Sequence, residues 1–105
     1  MTSVSTHVLD TATGSAGVGV EVTLERSIDG GWQHVGQGVT DVNGRITMLA
    51  GAVHTGVYRL VFATGAAGNA FFPEVHIVVS LDEEQDHYHI PLLISPYGYT
   101  TYRGS

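Results

Sequence analysis

Residues 87–94 read His-Tyr-His-Ile-Pro-Leu-Leu-Ile. In an extended chain successive side chains point to opposite faces. Tyr88, Ile90, Leu92 and Ile94 therefore share one side, and His87, His89, Pro91 and Leu93 the other. The first row is uniformly apolar and belongs in a core, which fixes how the strand faces, because a slip of one residue would expose the whole row. The second row mixes two histidines with a proline and a leucine. That set is odd for a solvated surface and suits the wall of a pocket or a subunit interface.

The same period of two recurs along the chain. Over 19–26, Val20, Val22 and Leu24 oppose Glu21, Thr23 and Glu25. Over 57–63, Tyr58, Leu60 and Phe62 oppose Val57, Arg59 and Val61, and over 75–79, Val75, Ile77 and Val79 oppose His76 and Val78. Further strands are expected at 5–9, 32–37, 45–47 and 99–103. Asp29-Gly30-Gly31 and Asn43-Gly44 fall between these runs and suit tight hairpins with positive φ. No helical stripe exceeds two turns, and only residues 66–71 suggest a short helical turn. Seven to eight short strands at this spacing predict a mostly β chain, an antiparallel sandwich with at most one short helix. With 105 residues and no repeat or linker, one domain over 1–105 is expected.

Composition narrows the function. Hydrophobic residues make up 43% and charged ones 13%, so the chain is not of the disordered type. There is no cysteine, hence no disulfide and no thiolate nucleophile or ligand. There is no lysine and the net charge is −6, which argues against nucleic acid or an anionic membrane as partner. No apolar run approaches the roughly 18 residues of a membrane span, and Met1-Thr-Ser-Val-Ser does not resemble a signal peptide. A cytoplasmic protein is expected.

Six histidines in a chain this short draw attention to proton transfer near neutral pH. In Ser5-Thr6-His7-Val8-Leu9, an inward Val8 places His7 outward with Ser5 and Leu9. Arg45 follows the Asn43-Gly44 turn, where it is either a solvated strand end or a rigidly placed cation. Each outward histidine, taken alone, is more often solvated than functional. His87 and His89 with His7 could also hold zinc, but no cysteine or carboxylate stands at a supporting spacing, and no metal is expected. Asp41-x-Asn43-Gly44 lacks the rest of a calcium loop and reads as a turn. Neither a phosphate loop nor a Gly-x-Ser-x-Gly elbow is present.

Four segments taken together carry a resemblance: Ser5-Thr-His-Val-Leu-Asp10, Thr40-Asp-Val-Asn-Gly-Arg45, Phe71-Phe-Pro-Glu-Val75, and His87-Tyr-His-Ile-Pro-Leu-Leu-Ile-Ser-Pro96 running to the terminal Tyr102-Arg103-Gly104-Ser105. In order, and over nearly the whole chain, they resemble the transthyretin-like 5-hydroxyisourate hydrolases. The terminal tetrapeptide is the most specific of them, since it separates the hydrolases from the thyroid-hormone carriers of the same fold. The resemblance implies a homotetramer, a dimer of dimers with active sites in the channel where the dimers meet. It also implies a small-molecule substrate, 5-hydroxyisourate, whose ring amide adds water, with no cofactor.

By matching motif positions it implies His7, Arg45 and His89 as the catalytic set, with Tyr102 and Ser105 completing the substrate pocket. It leaves open which of His7 and His89 is the base. His87 matches no catalytic position as closely and is placed behind the site or at an interface. Two departures stand out. Gly14-Ser15-Ala16-Gly17 lacks the family's proline, and residues 64–70 look short for its small helix. The competing readings are a ligand carrier without chemistry and an assembly module with irrelevant histidines.

Overall fold

The computed structural model describes residues 2–105. Nine strands form two sheets: β1 (Thr2–Asp10), β2 (Ser15–Ala16), β3 (Glu21–Ile28), β4 (Gly31–Val39), β5 (Arg45–Val53), β6 (Gly56–Phe62), β7 (Val75–Leu81), β8 (His87–Ser95) and β9 (Gly98–Thr101). One sheet runs β2-β1-β8-β9, with β5 also paired to β1; the other runs β4-β3-β6-β7. The expected sandwich is therefore present, with one strand more than foreseen, the two-residue β2.

The inward rows are those the alternation predicts. Val4 and Val8 of β1, Val22 and Leu24 of β3, Tyr58, Leu60 and Phe62 of β6, Val75 and Ile77 of β7, and Tyr88, Ile90 and Leu92 of β8 are buried between the sheets. Burial of each large side chain contributes about 1.5–3 kcal/mol, and this common core holds the two outer faces at fixed positions. Tyr58 keeps its polar end satisfied by donating its hydroxyl to the His54 carbonyl at 2.7 Å.

Turn chemistry decides the β3–β4 hairpin. Asp29 at φ 51° and Gly30 at φ 79° give two successive positive φ values, as a two-residue turn matched to strand twist requires. Asn43-Gly44 does turn, with Gly44 at φ 75°, but it does not close a hairpin. β4 and β5 belong to different sheets, so this turn carries the chain across the sandwich.

Three further expectations are corrected. β1 and β8 pair in parallel, from Ser3↔His87 to Asp10↔Ile94, because the long excursion through the second sheet returns the chain in the same direction. β5 continues past Thr47 to Val53, held by β1 through two register shifts. Residues 66–71 form turns rather than a helix. The Ala67 and Asn69 N–H groups both donate to the Thr64 carbonyl, and the Asn69 side chain accepts from the Phe71 and Phe72 N–H groups.

Pro91 shapes the end of the chain. It has no N–H to offer β9, and instead its carbonyl accepts the Thr101 hydroxyl at 2.8 Å. The β8–β9 ladder stops at Leu92↔Thr101. Tyr102 and Arg103 pass the gap, and pairing resumes once, at His89↔Gly104.

Candidate active site

The outer face of the β5-β1-β8 sheet gathers the chemistry. β1 is central, so each of its outward residues has a neighbour on both sides. His7 lies across from Arg45 of β5 and from Pro91 of β8, Ser5 across from His89, and Ser3 across from His87. Thr6 on the opposite face is buried and opposes Ile46, which keeps His7 and Arg45 outward. Three of the sequence-predicted residues, His7, Arg45 and His89, thus share one face on three adjacent strands.

Local structure fixes each of them. Gly44 places Arg45. The Gly44 carbonyl accepts the Val8 N–H at 2.7 Å, and a Cβ on Gly44 would fall 2.4 Å from the Val8 carbonyl oxygen. Only glycine allows that approach. The Asp41 carboxylate then clamps the turn, accepting the Asn43 N–H at 2.8 Å and the Arg45 N–H at 3.0 Å. Those two bonds, the Arg45 one foremost, hold its carboxyl below the usual 3.8. The Arg45 guanidinium has no hydrogen bond or carboxylate partner among the described residues, although acidic residues outnumber basic ones in the chain.

His89 is half-buried, and its Nδ1 lies 2.7 Å from the Ser5 hydroxyl. Burial is the main cause that lowers its pKa below 6.5, followed by the neighbouring charges of Arg45, His7 and His87. Its ring is thereby kept neutral near physiological pH, and its Nε2 has no protein partner among the described residues. The terminal segment packs against the same ring. The Gly104 N–H donates to the His89 carbonyl at 2.7 Å, and a Cβ on Gly104 would stand 2.6 Å from His89 Cδ2.

His87 and His89 turn ring nitrogens to one serine hydroxyl. His87 Nε2 and His89 Nδ1 both meet the Ser5 hydroxyl, at 2.8 and 2.7 Å, and no group of three or more metal-binding side chains exists among the described residues. The sequence-predicted Tyr102 is more than half exposed and, with Arg103, lines an apolar groove beside β7. Neither its hydroxyl nor Ser105 bonds to His7, Arg45 or His89 within one protomer. Ser5, Asp41 and Gly104 are the residues of this face that sequence reasoning missed. Ser5 was on the outward row with His7, but only the β1–β8 register reveals its two histidine partners.

The face brings together a histidine of lowered pKa, a second histidine and an unpaired guanidinium, side-chain types that suit general-base attack on a carbonyl. Comparison with known proteins gives the same direction. The profile of the HIUase/Transthyretin family matches residues 4–104. The chain belongs to this family. Within it, a 5-hydroxyisourate hydrolase of Salmonella dublin is 44% identical over 96% of this chain and 79% of its own. The structure of the Klebsiella pneumoniae 5-hydroxyisourate hydrolase superposes with a TM-score of 0.88 at 37% identity, each chain covered completely. Sea bream transthyretin in complex with thyroxine gives a TM-score of 0.89 at 31% identity, covering 96% of this chain and 93% of that one. The family thus holds both hydrolases and carriers on one scaffold, and this chain's higher identities are to hydrolases.

Proposed function

We propose that this protein hydrolyses 5-hydroxyisourate to 2-oxo-4-hydroxy-4-carboxy-5-ureidoimidazoline, a step of urate degradation. The observation that carries the reading is the neutral, Ser5-tethered His89 beside the unpaired Arg45 and His7 on one sheet face, in a chain whose relatives are hydrolases. His89 Nε2 accepts a proton from a water as its oxygen bonds to the ring amide carbon. Arg45 stabilises the negative charge that develops on the carbonyl oxygen, an effect worth about 10²–10³ in rate. The C–N bond then breaks, the electron pair goes to nitrogen, and the imidazolium of His89 returns the proton there. His7, next to Arg45, holds a second substrate oxygen. Tyr102 and Ser105 orient the ring.

The same reading makes the protein a homotetramer, a dimer of dimers, in the cytoplasm. Two features support the assembly. The His7–Arg45–His89 face is open, so walls from another copy are needed to exclude water. The edges β7 and β9 carry unpaired backbone groups on one side of the sandwich, and unprotected edges favour pairing with another chain. None of the helices needed to cross a membrane is found among the described residues.

A second reading, a ligand carrier without chemistry, draws on the thyroxine complex of the sea bream neighbour. One assay separates the two. Urate oxidase generates 5-hydroxyisourate in the cuvette, and its decay is followed with and without the protein. Accelerated decay that vanishes in His89→Ala supports hydrolysis; unchanged decay from a folded tetramer overturns it in favour of the carrier.

A further inference from the structure

Behind His89 runs a series of three hydrogen bonds. Its Nδ1 meets the Ser5 hydroxyl at 2.7 Å, the same hydroxyl meets His87 Nε2 at 2.8 Å, and His87 Nδ1 meets the Ser3 hydroxyl at 2.5 Å. The parallel β1–β8 register creates the series, because it sets Ser3, Ser5 and His7 beside His87, His89 and Pro91 on one face. His89 is half-buried, whereas His87 is exposed. The series therefore leads from the proposed reaction centre to solvent.

Proton counting gives the series a direction. A serine hydroxyl carries one hydrogen and a neutral imidazole one N–H. With both rings neutral, the Ser5 oxygen donates to one and accepts from the other. If Ser5 donates to His87 Nε2, His89 carries its proton on Nδ1, its Nε2 lone pair is free for water, and His87 donates from Nδ1 to Ser3. If Ser5 donates to His89 Nδ1, both rings carry their protons on Nε2 and His89 is not a base. The tautomers of the two histidines are therefore set together, by one hydroxyl.

We infer that Ser5, His87 and Ser3 form a tautomer lock that holds His89 with a free Nε2. The inference rests on the hydrolytic reading above. In that reading His89 takes a proton from water and returns it to the leaving nitrogen, both at Nε2, so its Nδ1–H bond to Ser5 persists and the ring ends each turnover in the tautomer it began with.

Around His89 stand His7 on β1 and Arg45 on β5, both of which disfavour a charge held there. Ser5 and His87 are positioning residues, acting through His89 rather than on the substrate.

The test uses Ser5→Ala, Ser5→Thr and His87→Gln in the full chain. Substituting such supporting partners typically lowers activity 10–100-fold. Ser5→Ala and His87→Gln are expected to lose roughly that much kcat with KM unchanged, and Ser5→Thr, which keeps the hydroxyl, to restore it. Nitrogen-15 shifts of the ring are read in parallel without substrate. The native protein is expected to carry the His89 proton on Nδ1, and Ser5→Ala to move it toward Nε2. Native kcat in either Ser5→Ala or His87→Gln overturns the lock, as does a native His89 protonated on Nε2. Absence of turnover in the native protein counts against the hydrolytic reading instead, and the nitrogen shifts alone then decide the tautomer lock.

Discussion

Replacing Gly104 with alanine adds one methyl group where the chain end meets His89. The new Cβ would stand 2.6 Å from His89 Cδ2 and 3.3 Å from both His89 Cγ and the His89 carbonyl oxygen. Carbon atoms in contact rest about 3.5–4.0 Å apart, so either the ring or the terminal segment retreats by roughly 1 Å. The Gly104 N–H bond to the His89 carbonyl holds the segment in place. A retreat of the ring stretches its 2.7 Å bond to Ser5 beyond the ~3.2 Å at which such a bond persists. A misplacement of this size costs on the order of 100-fold in rate. The core lies on the other face of the sheet, so stability falls by only about 1 kcal/mol, the lower end for an overpacked contact. Initial rates on freshly generated 5-hydroxyisourate and a thermal melt measure the two effects. Gly51→Ala is the control, since its nearest neighbour is the Met48 sulfur at 3.5 Å, and it should leave both unchanged. A Gly104→Ala protein with native turnover would refute the argument that the chain end seats the His89 ring.

Arg45→Lys keeps the charge but not the planar pair of donors, and Arg45→Met loses both. The first should retain a small fraction of kcat/KM and the second fall about 10²–10³-fold, measured in the same decay assay. Asp41→Asn keeps the oxygen that accepts the Asn43 and Arg45 N–H groups, whereas Asp41→Ala does not. Only the alanine variant should raise KM, through a loosened Arg45, and equal kinetics in both variants would discount the clamp. For pH, burial lowers the His89 pKa below 6.5 in the folded chain, so below 6.5 the unfolded chain binds a proton that the folded one resists. Stability should therefore decline as pH falls through 6.5 towards the lowered value, and His89→Asn should flatten the curve of melting temperature against pH. The acid limb of kcat/KM should likewise lie below pH 6.5, and a limb above it would assign the base to another group.

Short-range patterns made much of the sandwich legible. Alternation in β8, β6 and β3 identified their buried rows, because one face of each meets a shared core. Asp29-Gly30 announced its turn through residues that tolerate positive φ. The parallel pairing of β1 with β8 was hidden, since contacts between residues some eighty positions apart leave no local signature. β5 beyond Thr47 was missed for a related reason. Its Ala50-Gly51-Ala52 run has weak strand preference, and it is β1 that holds the strand to Val53. The short helical turn expected over residues 66–71 is replaced by separate turns around Gly65, Gly68 and Asn69. At the site, parity alone placed His7 and His89 outward. Their common face, and Ser5 between two histidine rings, depend on register.

The break that Pro91 makes in the ladder leaves the chain end fastened by a single backbone bond after Thr101. Such a segment opens locally at far less free energy than the whole fold. Scaffold and reaction chemistry are for this reason separable in this molecule. On the proposed reading, substitutions in the last four residues are expected to change catalysis while leaving the sandwich folded.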